Sequence, residues 1–87
     1  MAEQEIGAVT HYFGKIGVAA LKISDGELRV GDTIHVKGHT SDFTQTVDSM
    51  QVENESIEVA RAGDEIGMKM AEYVRENDAV YKVTPDE

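Results

Sequence analysis

Gly31-Asp32-Thr33-Ile34-His35-Val36 is a tight reversal feeding a β-rich run, and the chain repeats that arrangement twice. Gly63-Asp64 leads into Glu65-Ile66-Gly67-Met68, and Asn77-Asp78 leads into Ala79-Val80-Tyr81. Glycine, or asparagine in its stead, tolerates positive φ, and an aspartate side chain accepts hydrogen bonds from nearby backbone N–H groups as the chain reverses. Turn-then-strand punctuation repeated in a short chain predicts a small closed or nearly closed β structure. Gly31, Asp32, Gly63, Asp64, Asn77 and Asp78 are accordingly assigned as structural turns.

Outward from the first turn, Thr33 to Lys37 alternates, with Ile34 and Val36 inward and His35 outward. Val18 to Ile23 alternates as well, placing Ala19, Leu21 and Ile23 on the inner face. Ahead of it, Glu5 to Tyr12 reads as a strand, and Phe13-Gly14-Lys15-Ile16-Gly17 as an exposed reversal. Phe43 to Glu53 is the longest strand candidate, but Phe43 and Val47 sit on one parity and Met50 and Val52 on the other. Such a parity shift predicts a β-bulge near Asp48-Ser49. Ile57 to Ala62 reads as a helical turn or a tight crossing, and Glu65 to Met70 as a strand. Ala71 to Glu76 reads as one helical turn pinned by Val74 and ended by Asn77. Ala79 to Val83 closes the structure. The fold expected is all-β: a single six- or seven-stranded barrel over residues 5–83, between flexible ends at 1–4 and 84–87.

The 87 residues allow one domain, and 40% hydrophobic with 29% charged residues is ordinary for a soluble globular chain. No apolar run approaches the roughly 18 residues of a membrane helix. Met1 to Glu5 is acidic and polar, unlike a secretory or transit peptide, and the absence of cysteine removes disulfides and thiolate metal sites. A cytoplasmic location is the default expectation, with no membrane partner. The net charge is −9 and unevenly spread: residues 1–43 carry four basic and six acidic side chains, the remainder four and eleven. Nucleic-acid affinity comes largely from Lys and Arg neutralising phosphates, so this balance disfavours direct RNA or DNA binding. It suits a solubilising surface, or an acidic patch docking on a basic partner.

With the turns in place, the chain resembles the β-barrel second domain of translational GTPases such as elongation factor Tu and initiation factors. The matching stretches include Ile6-Gly7-Ala8-Val9-Thr10, Gly17 to Ile23, Leu28-Arg29-Val30-Gly31-Asp32-Thr33-Ile34, and Val47 to Val52. Ala60-Arg61-Ala62-Gly63-Asp64-Glu65-Ile66-Gly67-Met68 and Val74-Arg75-Glu76-Asn77-Asp78-Ala79-Val80 complete the set, in the family's order and over nearly the whole chain. The match is closest to small free-standing proteins described as translation elongation factor-like. In that family the barrel docks a GTPase domain, contacts ribosomal RNA or helps hold charged transfer RNA. The resemblance therefore implies a translation-related binding module, docking on a ribosomal component, a translation factor or a transfer RNA. A similar barrel also ends some U32-family peptidases, so the alternative is an accessory protein-interaction module for an unrelated enzyme of that type.

No catalytic constellation is visible. There is no G-x-x-x-x-G-K-[ST] phosphate loop, and Gly14-Lys15-Ile16-Gly17 has the wrong spacing for one. No serine or threonine sits in a G-x-S-x-G elbow, and the acids cluster in turns and on outward parities. His11, His35 and His39 lack the short paired spacing of a zinc site. The chain is thus expected to be no enzyme and to carry neither cofactor nor metal. The candidate partner-binding segment is His11-Tyr12-Phe13-Gly14-Lys15. Neighbouring strand residues face opposite ways, so Tyr12 and Phe13 cannot both enter the core. An aromatic left outside beside a cation can stack on a base or anchor a protein contact. The competing reading has Tyr12 or Phe13 capping the open end of the barrel. The partner expected is a protein or a ribonucleoprotein.

Overall fold

The chain forms ten strands, described over residues 2–84 in a computed structural model. They are β1 (Ala2–Phe13), β2 (Val18–Ile23), β3 (Glu27–Arg29), β4 (Thr33–Lys37) and β5 (Asp42–Thr46), then β6 (Met50–Val52), β7 (Glu55–Ile57), β8 (Val59–Arg61), β9 (Glu65–Lys69) and β10 (Ala79–Thr84). No helix occurs among the described residues, and the fold is all-β. Eight strands form one antiparallel sheet in the order β5-β4-β10-β1-β2-β9-β6-β7, while β3 pairs with β8. The two end strands of the large sheet, β5 and β7, do not pair with one another, so the closed barrel of six or seven strands is not what forms. Met1 and the tail beyond Thr84 lie outside the described residues.

Two local expectations are corrected. The stretch read as a single bulged strand from Phe43 to Glu53 is two strands, β5 and β6, that pair with different neighbours. Val47 and Met50 are both buried although they stand three apart, a spacing that puts them on opposite faces of a continuous strand. The chain therefore leaves the sheet between them. Ala71 to Glu76 is irregular chain, because its backbone groups bond elsewhere: Ala71 N–H donates to the Gln45 carboxamide and Arg75 N–H to the Asp78 carboxylate.

Bulging occurs instead in β1, whose register shifts between Glu5 and Gly7 against β10 and between Val9 and His11 against β2. The first shift lets consecutive residues Ile6 and Gly7 both be buried. Only glycine fits there, since a Cβ on Gly7 comes within 2.1 Å of the Lys22 carbonyl oxygen. Both sheets feed one core containing Ile6, Leu21, Ile23, Leu28, Ile34 and Val80, all fully buried. Each such side chain contributes roughly 1.5–3 kcal/mol by leaving water.

The three reversals share one geometry. Arg29, Arg61 and Arg75 each donate a backbone N–H to Oδ2 of the aspartate three residues later, at 2.9, 2.9 and 3.0 Å. The N–H groups of Asp32, Asp64 and Asp78 return to the carbonyls of the same arginines at 3.0, 2.9 and 3.1 Å. Gly31, Gly63 and Asn77 supply φ of 99°, 98° and 74°, as the third position of a type II turn requires.

Candidate binding site at the tip of the first hairpin

The β1–β2 connection is closed by the Phe13 carbonyl, which accepts from Ile16 N–H at 3.2 Å and Gly17 N–H at 2.9 Å. That tight reversal leaves Gly14 and Lys15 exposed at the apex, with Ile16 65% exposed beside them. Phe13 is 47% exposed, and the edge of its ring meets His11 at a centroid distance of 4.4 Å. Tyr12 turns the other way and is partly buried against the core. Its ring makes an edge-to-face contact with Tyr73, 4.8 Å between centroids and 67° between planes, a favoured arrangement for aromatic pairs.

Tyr73 reaches Tyr12 because the third reversal is stapled to β1. Asn77 N–H donates to the Val9 carbonyl at 2.8 Å, and Val9 N–H donates to the Asp78 carbonyl at 2.9 Å. Val74 is fully buried, which directs its neighbour Tyr73 outward to 65% exposure. The Arg75 guanidinium lies 5.9 Å from the Tyr73 ring centroid, and Glu76 approaches His11 Nδ1 at 3.4 Å. His11, Tyr12, Tyr73, Arg75 and Glu76 thus rim a shallow hollow of about 460 Å3. A second hollow of about 350 Å3 opens beside Phe13, Ile16 and Glu53.

The segment chosen from the sequence therefore divides. His11, Tyr12 and Phe13 take part in the aromatic cluster, whereas Gly14 and Lys15 form the apex next to it. Sequence reasoning missed Tyr73, Arg75 and Glu76, which it placed in a helical turn. The available signal was Val74: an apolar residue pinned inward in an extended segment forces Tyr73 out. The structural turn residues lie apart from this end, save that Asn77 and Asp78 hold its second segment of chain in place.

The three histidines are separated. His11 belongs to the tip, and His39 is exposed between β4 and β5. His35 lies between two carboxylates, with Nδ1 3.0 Å from Glu3 and Nε2 against Asp42. Ionised carboxylates only accept hydrogen bonds, so the protonated ring, with a donor on each nitrogen, satisfies both contacts at once. The hydrogen bonds to Asp42 and then Glu3 raise the His35 pKa above its ordinary 6.5, and His35 in turn lowers that of Asp42. Among the described residues no helix is long and apolar enough to cross a membrane.

Comparison with known proteins corrects the functional expectation. No protein-family profile matches the chain. It is 37% identical over 78 residues to an uncharacterized protease of Methanocaldococcus jannaschii, covering 88% of this chain and 19% of that protein. It is 35% identical to a collagenase of Porphyromonas gingivalis, covering 88% of this chain and 22% of that protein. The chain therefore spans about a fifth of the length of these curated relatives. Among solved structures, the C-terminal domain of a Geobacillus thermoleovorans protein described as a U32 peptidase superposes with a TM-score of 0.86 at 20% identity, covering 93% of each chain. Its selenomethionine variant gives 0.82 at 20% identity, covering 88% of this chain and 96% of that one.

These findings overturn the resemblance to translation factors, and with it the elongation factor-like reading: the relatives are a protease and a collagenase, and the shared fold is that of a peptidase's C-terminal domain. The short Gly-Asp turns that carried the resemblance are solutions to a backbone problem, so they recur wherever small antiparallel sheets reverse tightly. The expectation that the chain is no enzyme is overturned by the same relatives, which are named a protease and collagenases. The alternative of an accessory module for a U32-type peptidase is the reading these findings fit.

Proposed function

We propose that this chain is an accessory β-domain of the U32-peptidase type, and that it docks on the peptidase through the aromatic tip of its first hairpin. The supporting observation is Tyr73, exposed yet held edge-on to Tyr12 by a segment stapled to β1. A rigid aromatic presented to solvent loses little conformational freedom on binding, which is why such residues anchor protein interfaces. Phe13 and Ile16 extend the apolar surface along the hairpin. On this reading the two sheets act as a partly open barrel that carries the tip, and the acidic, cysteine-free chain works in the cytoplasm.

The test is calorimetric titration of this chain into a U32-type peptidase whose own C-terminal domain has been removed. The expected result is saturable one-to-one binding that Tyr73→Ala weakens about tenfold, roughly 1.4 kcal/mol. Absence of binding by the wild type would defeat the accessory-domain reading. Binding unchanged by both Tyr73→Ala and Phe13→Ala would leave that reading standing and remove the tip from it.

A further inference from the structure

The large sheet stops at β5, and the outer side of β5 faces the end of β9 across a gap. The phase of β5 follows from two bonds to the β4 side: Val47 N–H donates to the Asp32 carbonyl, and Gly38 N–H to the Ser41 carbonyl. Alternation then aims the backbone groups of Asp42, Thr44 and Thr46 away from β4, where among the described residues β5 has no neighbour. On the opposite bank, Gly67 meets β6 through Gln51, after which β6 no longer follows β9. The next two outward positions, Lys69 and Ala71, are met by one side chain. Gln45 Nε2 donates to the Lys69 carbonyl at 2.9 Å, and Ala71 N–H donates to Gln45 Oε1 at 2.7 Å. The carboxamide does there what the peptide group of a neighbouring strand does elsewhere. A glutamine side chain plus its hydrogen bond reaches farther than one strand spacing of about 4.8 Å, so Gln45 can bridge β5 and β9 although the two strands do not pair. A cavity of about 400 Å3 opens in the gap, bordered by Gln45, Thr46, Asp48, Ser49, Lys69 and Ala71.

We propose that this gap is a peptide-binding site, in which a short extended segment carrying a lysine or arginine adds as a strand along Thr44 and Thr46. The ligand's backbone supplies the donors and acceptors that the edge of β5 lacks, and displaces the Gln45 carboxamide from Lys69 and Ala71. Its cationic side chain lies beside Asp48, exposed in the β5–β6 connection, rather than beside Lys69 of β9, the cation that borders the gap, in a chain with net charge −9. The site is separate from the aromatic tip and does not depend on the docking proposed there.

The test uses the full chain and three fluorescent decapeptides: alternating lysine and threonine, alternating glutamate and threonine, and the lysine peptide with every second amide N-methylated. Fluorescence anisotropy gives affinity, and amide chemical-shift mapping gives location. The lysine peptide is expected to bind and to shift the amides of Thr44, Thr46 and Ala71. N-methylation, which removes backbone donors while keeping charge, should weaken binding about tenfold or more, and the glutamate peptide should bind more weakly still. Asp48→Asn, at an exposed position, should weaken the lysine peptide about threefold to tenfold. Gln45→Ala, its folding checked by the same spectra, should bind more tightly because a competing group is gone. Equal affinity for the N-methylated peptide, shifts confined to Tyr12 and Tyr73, or no binding by any peptide overturns the proposal.

Discussion

The tip of the first hairpin and the Glu3–His35–Asp42 cluster are both surface features, and they do opposite things with their side chains. At the tip, Phe13, Ile16 and Tyr73 keep large apolar area in water, and the rings are fixed by edge contacts and by backbone stapling beneath them. Around His35, one imidazole ring links β1, β4 and β5, and both its nitrogens are used within the chain. Exposed apolar area held rigid is surface still available to a partner, whereas a polar group whose donors are already taken has little left to offer one. The first region is built for contact and the second for cohesion.

Substitutions separate these roles. The largest effect is expected from Gly7→Val in the strand that serves both regions: the new side chain collides with the Lys22 carbonyl, and urea denaturation should show a loss of roughly 3 kcal/mol or more. Asp78→Ala comes next. It removes the carboxylate that accepts from Arg75 N–H in a nearly buried position, so a loss of about 2 kcal/mol is expected. Because that turn carries Tyr73, exchange of the 73–77 amides should accelerate more than that of β4. An Asp78→Ala chain with unaltered exchange in that segment would show that the tip does not depend on the third reversal.

Tyr73→Ala should change stability by less than about 0.5 kcal/mol, as expected for an exposed residue, while weakening partner binding as described above. A large stability loss with it would move Tyr73 from contact to cohesion. The smallest effect concerns pH. A raised folded-state pKa makes the His35 contribution fully present below about 6.5 and progressively lost as pH climbs through the folded value. The lowered pKa of Asp42 acts in the other direction: its contribution is present above about 3.8 and fades as pH falls through its folded value. The wild-type unfolding midpoint should therefore drift downward between pH 6 and pH 9, and His35→Gln should flatten that drift. Parallel profiles for the two proteins would rule out the clamp.

Much of the fold could be read locally. The strand Val18–Ile23 and the strand Thr33–Lys37 begin and end where alternation puts them, because burial of every second residue is a property of adjacent positions. The break between β5 and β6 left a trace in the sequence, a parity shift, but parity alone does not distinguish a bulge from an exit. The candidate site was half visible. Two adjacent aromatics at a reversal attract attention by themselves, whereas Tyr73, sixty-one residues from Tyr12, shows nothing local that ties it to the hairpin.

The sequence by itself determined an all-β chain, the inward set of most strands and the places where it reverses, since all of these are settled within a few neighbouring residues. The tertiary structure decided which strands meet, that the large sheet stays open at β5 and β7, and that Gln45 bridges the gap by its side chain. It also brought Tyr73 onto Tyr12 and His35 between Glu3 and Asp42. Those contacts join residues far apart in the chain, and their pairing depends on competition among all the strands for the same edges.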